Sequence, residues 1–359
     1  MNRAKTRKKK RRAGEKTVHT KSRWSPVHQS ISMRKSLNWA RKKNIGKSPH
    51  IIAYNKYGPV VAAKEFNRTV GMKDPKRKNE RLKYCEHKYE NLDHVHHGQR
   101  KLLMSEIEFM VDEYNSYKDH DNVVVVYVGA APGTHINVLA NLFPMFTFHL
   151  YDKTTYDSRL KMYENIRLFS EYFTESHANT YSRMNVIFIS DIRNLDIRKK
   201  INTDGSDQDL VHEDMEKQKS WFKIINPLCG LLKFRLPWKD GTTIYLDGKL
   251  YYQVWGGRHT TESRLSPKQR ELTCKYDHRE YEEKMHFFNR ISRRQIYKNE
   301  IECYGNCYDC FAEIYILSRF LDAFILPNEP NQKDIPEIKE EFLCALRYMI
   351  DDELGRKLF

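Results

Sequence analysis

Apolar positions along the middle of the chain recur with two different spacings, and the switch from one to the other marks out elements. Between Gln99 and Tyr114, Leu102, Leu103, Ile107 and Met110 fall at helical spacing, with Lys101 near the start. A turn at Asp121-Asn122 leads into Val123–Val128, an unbroken run whose β-branched residues suit a strand buried on both faces. Ile136–Leu142 then reads as helix, Phe146–Tyr151 as a strand ending in Asp152, and Arg159–Phe173 as one long helix. Asn185–Ile189 reads as a strand ending in Ser190-Asp191, His212–Ile225 as helix and Gly230–Leu236 as strand. Thr243–Leu246 and Lys249–Val254 read as a hairpin turning at Asp247-Gly248, and Glu280–Ile296 and Ile301–Phe324 as mostly helical. Strands alternating with helices predict an α/β fold with a doubly wound, mostly parallel sheet, and such folds take ligands at the C-terminal ends of their strands.

The two ends of the chain read differently. Residues 1–47 hold 17 Lys/Arg against one acid, Glu15, while the other 312 residues hold 46 charges of each sign. The whole net charge of +16 therefore sits in one arm that has too few apolar residues to pack and is expected to be disordered. Its run Lys8-Lys9-Lys10-Arg11-Arg12 suits a polyanion, with nucleic acid the commonest; a solubilising tail or a nuclear-import signal is the alternative. Such an arm gives affinity without sequence choice. Residues 50–96 are mixed, broken at Gly58-Pro59 and Asp74-Pro75, with a short helix expected over Val60–Phe66. The expected division is a basic arm (1–49), an extension (50–96), the main α/β domain (97–325) and a C-terminal helical extension (326–359). No run of 18 uncharged apolar residues and no apolar stretch behind the charged start point to a membrane span or a secretory signal, so a cytoplasmic setting is expected, with the nucleus open through the arm. Seven cysteines without framework spacing are expected to be reduced.

Several polar residues stand out against this pattern. Val128-Gly129-Ala130-Ala131-Pro132-Gly133-Thr134-His135 leaves the Val strand and opens a helix, its glycines permitting a sharp turn and close approach to a ligand. It is neither G-x-G-x-x-G nor a P-loop, and it has no lysine for a phosphate. Asp152, at the end of the next strand, is placed to accept the ribose hydroxyls of an adenosine; the alternative is an ordinary glycine turn beside a capping Asp. Lys233 lies inside the apolar run Gly230-Leu-Leu-Lys-Phe, so it is either edge-exposed or functional. Asp191 ends a strand, and Glu262 follows the loop Trp255-Gly-Gly-Arg-His-Thr-Thr, where taken singly it reads as a solvated acid. Cys303, Cys307 and Cys310, with Cys274 and His286 upstream, lack clean zinc spacing and are expected to be buried free thiols and a histidine. His94, His96 and His97 are expected to be RNA-facing or merely exposed, and no metal is expected.

From about His97 to Leu317 the chain resembles the poxvirus-type cap-specific mRNA 2′-O-methyltransferases, which are also the small subunits of poly(A) polymerase. The resemblance rests on Gly98-Gln99-Arg100-Lys101-Leu102-Leu103, on Val126–His135, on Ile189-Ser190-Asp191-Ile192-Arg193, on Asn226-Pro227 with Leu232-Lys233-Phe234-Arg235 and Pro237, and on Glu262-Ser263-Arg264-Leu265. It implies a Rossmann-like fold that binds S-adenosylmethionine and methylates a ribose 2′-hydroxyl of capped mRNA. It implies a catalytic set of Lys101, Asp191, Lys233 and Glu262, with Lys233 taking the proton. Burial and a second nearby cation are what lower a lysine's pKa enough for that work. Gln99, Tyr127, Gly129, Gly133, His135 and Asp152 are implied for the cofactor, although Thr154 stands where the family has an Arg. Trp238 would stack on the cap's cationic base, Asp240 and Glu282 would hydrogen-bond its edge, Arg193 is counted with these RNA-binding residues, and Tyr84 or Tyr89 is the candidate second ring. A poly(A) polymerase catalytic subunit is an implied partner, and a viral source would put the protein in host cytoplasm or virion. The basic arm and the stretch from Ser318 onward depart from the family pattern. A non-catalytic RNA-binding subunit and a 2′-O-methyltransferase for other RNAs are the competing readings.

Overall fold

A computed structural model describes residues 66–84, 97–193, 206–257, 260–297, 299–301, 303–328 and 335–354. The basic arm, Tyr89, His94, His96 and nearly all of the helix expected over Val60–Phe66 lie outside these residues.

The Val run forms β1 (Val124–Val128), and all five of its residues are buried. Burial of all five requires that both faces of the sheet be covered at β1, which also has a strand on each edge. On one side it pairs in parallel with β2 (Thr147–Tyr151), which pairs in turn with β3 (Ile166–Phe169). On the other it pairs in parallel with β4 (Val186–Ser190), followed by β5 (Cys229–Phe234). Two antiparallel strands complete the sheet: β8 (Ser263–Pro267) lies on β5 with Lys233 opposite Arg264, and β7 (Gly248–Tyr251) lies on β8. The order is β3-β2-β1-β4-β5-β8-β7. The chain leaves β1 toward one half of the sheet and later returns to start the other, so the topological switch lies between β1 and β4, where open α/β sheets bind ligands. A separate two-stranded ribbon joins β6 (Thr242–Leu246) to β9 (Thr273–Asp277).

Helix α1 (Gly98–Asp112) precedes β1, with the single turn α2 (Tyr114–Tyr117) behind it. Polar side chains as well as apolar ones are buried in α1, and the polar ones are paired: Glu108 with Arg68, Glu106 with the Tyr127 hydroxyl. Among the described residues the other α-helices are α3 (Ile136–Leu142), α4 (Glu175–Tyr181), α5 (Ser206–Ile225), α6 (His278–Arg290), α7 (Tyr308–Phe320) and α8 (Ile335–Leu354). None is long and apolar enough to cross a membrane.

The structure corrects the sequence reading at several places. Arg159–Phe173 is not one helix: a 3₁₀ turn over Ser158–Met162 is followed by β3. The parallel ladder with β2 at Phe148 to Tyr151 claims Ile166 to Phe169, and local helical spacing does not prevail against it. The segment around Asp247-Gly248 is not a hairpin, because β6 joins the ribbon and β7 joins the main sheet. Gly248 serves a close approach instead: a Cβ there would lie 2.1 Å from the Ser266 carbonyl oxygen. Cys303 is not a free thiol but is bonded to Cys344 on α8, 41 residues on, whereas Cys274, Cys307 and Cys310 are free. His97 is buried, its ring edge-on to Trp255. Among the described residues no group of three or more His, Cys, Asp and Glu is placed to hold a metal.

The expected extensions share the main core. Thr69 bridges to Tyr251 at the edge of β7, Arg68 is buried against Glu108, and one apolar cluster runs from Val70 to Ile350 of α8.

Candidate active site

Four strand ends meet at one edge of the sheet. After β1 the chain passes so close to the end of β4 that a Cβ at Gly129 would lie 2.8 Å from the Asp191 carbonyl and the Ile192 nitrogen. Gly129 also has a φ of +78°, which a residue with a side chain adopts only with strain. Asp152, just beyond β2, accepts the Ala131 amide through Oδ2 at 3.1 Å and the Thr154 amide and hydroxyl through Oδ1 at 2.9 and 2.8 Å. Thr154 thus fixes the carboxylate. Gln99, in the first turn of α1, accepts through Oε1 from the Thr134 hydroxyl and pairs with His135 Nδ1, both at 2.8 Å. Gln99, Gly129 and Asp152 line a cavity of about 900 Å³ together with Tyr172, Trp221 and the end of β4. Three other predicted cofactor residues lie behind the loop. Tyr127 and His135 both bond Glu106 of α1 (2.7 and 3.0 Å), and Gly133 packs against Leu160 and Ile136.

The four residues predicted as a catalytic set converge. Lys101 from α1 donates to Glu262 Oε1 at 2.8 Å, and the Lys233 Nζ lies 2.9 Å from Asp191 Oδ1 and 3.6 Å from Glu262 Oε2. Two arginines join them. Arg264, buried opposite Lys233 in β8, reaches Asp191 at 2.8 Å and Glu262 at 3.4 Å, and Arg193 reaches Glu262 at 2.8 Å. Burial disfavours charge on both carboxyls. Arg264 and Lys233 at Asp191, and Lys101 and Lys233 at Glu262, nonetheless hold both well below the ordinary carboxylate range. Burial also lowers the Lys101 ammonium from its ordinary value, against the upward pull of Glu262. Gln218 of α5 clamps the Lys233 backbone, donating to its carbonyl at 3.0 Å and accepting its amide at 3.2 Å. Gln253 donates to Glu262 at 3.1 Å.

A second cavity, of about 340 Å³, opens on the other side of this cluster, and Val211, Met215, Arg235, Trp238 and Thr261 line it. Lys101, Ile192, Arg193 and Lys233 border both cavities.

Over residues 74–346 the chain matches the model of a family described as "Poly A polymerase regulatory subunit". It belongs to that family. Among curated relatives of this family member, the cap-specific mRNA (nucleoside-2′-O-)-methyltransferase of Myxoma virus (strain Lausanne) is 26% identical over 242 residues, covering 61% of this chain and 70% of the relative. The protein of the same name in Fowlpox virus (strain NVSL) is 28% identical over 270 residues, covering 70% and 83%. A solved structure of bluetongue virus VP4, titled a multifunctional RNA-capping production-line, is a distant likeness: TM-score 0.39, 13% identity, 76% of this chain and 45% of that one.

In this regulatory-subunit family member the remaining predicted residues are Trp238, which lines the second cavity, and Asp240, Glu282 and Tyr84, which do not. Trp238 is 47% exposed, donates its ring N–H to Thr261 at 3.0 Å and has Arg235 stacked 4.0 Å from its ring centre. Asp240 is paired with Arg279 at 2.7 Å. Glu282 on α6 has its carboxyl pushed up by partial burial and by the neighbouring Glu283 and Asp240. Tyr84 is exposed, its ring edge against His286 of the same helix. Sequence reading missed the parts played by Arg264, Gln218 and Gln253. Arg264 had a signal, since it stands in the Glu262-Ser-Arg-Leu motif; the two glutamines had none.

Proposed function

We propose that this chain transfers the methyl group of S-adenosylmethionine to a ribose 2′-hydroxyl at the capped end of mRNA, in keeping with the cap-specific mRNA (nucleoside-2′-O-)-methyltransferases among its viral relatives. The observation that carries the reading is the wall of Lys101, Ile192, Arg193 and Lys233 shared by two cavities. A group-transfer enzyme needs donor and acceptor on opposite sides of its reacting groups.

The larger cavity fits the cofactor. The turn at Gly129 leaves open backbone, the volume suits a nucleoside with an amino-acid tail, and no lysine is set in the loop for a phosphate. Asp152 Oδ2 accepts one hydrogen bond and keeps a lone pair for a ribose hydroxyl, whereas Oδ1 already accepts two from Thr154. Gln99 and Gly129 would hold the rest, with Tyr127, Gly133 and His135 bracing them. When bound, S-adenosylmethionine supplies an electrophilic methyl carbon.

The chain's own residues then orient the acceptor and manage its proton. Lys233 Nζ is the proposed proton acceptor for the 2′-hydroxyl. Asp191 and Glu262 hold it in place, and Lys101 with the two arginines gives the cluster four cations against two carboxylates. The exposed Trp238 ring and the acids Asp240 and Glu282 suit a cationic, methylated guanine, with Tyr84 the candidate second ring. Family membership and the viral relatives support a second role with a poly(A) polymerase catalytic subunit, in host cytoplasm.

Incubation with labelled S-adenosylmethionine and short capped or uncapped RNAs tests the reading. Label is expected on capped RNA alone. Equal label on both would favour a general RNA methyltransferase, and none a binding subunit. Lys233→Ala is expected to lower transfer by roughly a hundredfold or more while cofactor binding persists; lost cofactor binding would refute the assigned role.

A further inference from the structure

Next to the Lys101–Glu262 pair along the chain, and outside the lining of both cavities, lies a second group of buried charges. Helix α7 presents two acids four residues apart, Asp309 and Glu313, which are 4% and 0% exposed. Glu313 receives Arg100 Nε at 2.7 Å and Nη2 at 2.5 Å, the Trp255 ring N–H at 2.6 Å and the Tyr304 hydroxyl at 3.0 Å. Asp309 receives the Trp255 backbone amide at 3.0 Å. Asp351 of α8 takes the remaining arm of Arg100 at 2.5 Å.

These contacts run to both halves of the Lys101–Glu262 pair. Arg100 is the residue before Lys101 on α1, and Trp255 opens the segment that leads to Glu262. Trp255 has a φ of +62°, a conformation that a bulky residue keeps only when its surroundings impose it. The two acids of α7 supply that constraint through the ring and the backbone of the same residue. Asp351 lies past residue 346, where the family match ends, so part of this support belongs to the C-terminal stretch of this chain.

We infer that Glu313 is a positioning residue: through Arg100 and Trp255 it sets the approach of Lys101 to Glu262, and Asp351 completes the hold on Arg100. Its effect on turnover rests on the methyltransferase reading; its effect on Lys101 does not.

The experiment is lysine acylation of the full chain with N-hydroxysuccinimidyl acetate, read residue by residue by mass spectrometry, in the wild type, Glu313→Gln and Asp351→Asn. Lys284, buried on α6 and donating to the Arg77 carbonyl, reports general loosening. Labelling of Lys101 is expected to rise at least about fivefold in Glu313→Gln as local opening becomes easier, and by less in Asp351→Asn, with Lys284 unchanged. In the transfer assay kcat is expected to fall about 10- to 100-fold with little change in KM for either substrate. Unchanged Lys101 labelling in both variants, or Lys284 rising in parallel with Lys101, overturns the inference. If Glu313→Gln does not fold, Asp351→Asn alone decides by the same criterion. A rise at Lys101 in a protein without transfer activity upholds the positioning role and rejects the proposed function.

Discussion

At the scale of residues, the candidate site is a balance of charge. Lys101, Arg193, Lys233 and Arg264 surround Asp191 and Glu262, and their proximity outweighs the cost of burying the two carboxylates. The sign of the resulting pH effect is fixed. Both acids ionise below their unfolded values of about 4, so the stability they contribute is complete above that pH and is lost as pH falls through their lower folded values. Urea midpoints measured from about pH 6 down to about pH 3 should fall below about pH 4 in the wild type, and part of that slope should be missing in Glu262→Gln. An equal slope in both would mean that Glu262 is not depressed in the folded state. Lys233 was visible in the sequence because a charge interrupts an apolar run. Arg264 was quoted in a motif, yet its role depends on lying opposite Lys233 across an antiparallel ladder, and one strand's sequence does not name its partner. Gln218 acts through two hydrogen bonds and Gln253 through one, all made across the fold, and these leave no local pattern.

At the scale of elements, what could be read depended on whether an element's pattern was its own. The buried Val strand, the glycine turn after it and α1 each declare themselves within a short window. β3 does not: Leu160, Tyr163 and Ile166 imitate helical spacing, and only pairing with β2 selects the extended form. The supposed hairpin failed likewise, because Asp247-Gly248 has the composition of a tight turn while its strands belong to different sheets. Gly248 makes that departure testable. Its substitution by Ala forces a methyl group onto the Ser266 carbonyl between β7 and β8 and should cost about 1–3 kcal/mol, measured by urea unfolding. A neutral result would show that the two strands are not so closely apposed. The Cys303–Cys344 bond escaped notice because its cysteines stand on segments that only the folded core brings together.

At the scale of the whole molecule, the sheet, the positions of Gln99, Gly129 and Asp152 and the convergence of the four predicted catalytic residues were legible in advance; the cap-side residues were less so. Trp238 reads equally well as a core aromatic, and its exposure is a property of the surface around it. If it stacks on the cap, Trp238→Ala should raise KM for capped RNA roughly tenfold, with cofactor affinity unaltered and weak binding of uncapped RNA unaffected. An equal loss for both RNAs would make it a general RNA contact. Segments on either side of the sheet along the chain also belong to the working unit: Arg68 enters beside α1, and α8 reaches back to Arg100.

The partition between the two chambers has a further consequence. Each has its own lining away from the common residues. On the proposed assignment the spent nucleoside and the transcript would share only the partition itself, so neither would have to displace the other's remaining contacts.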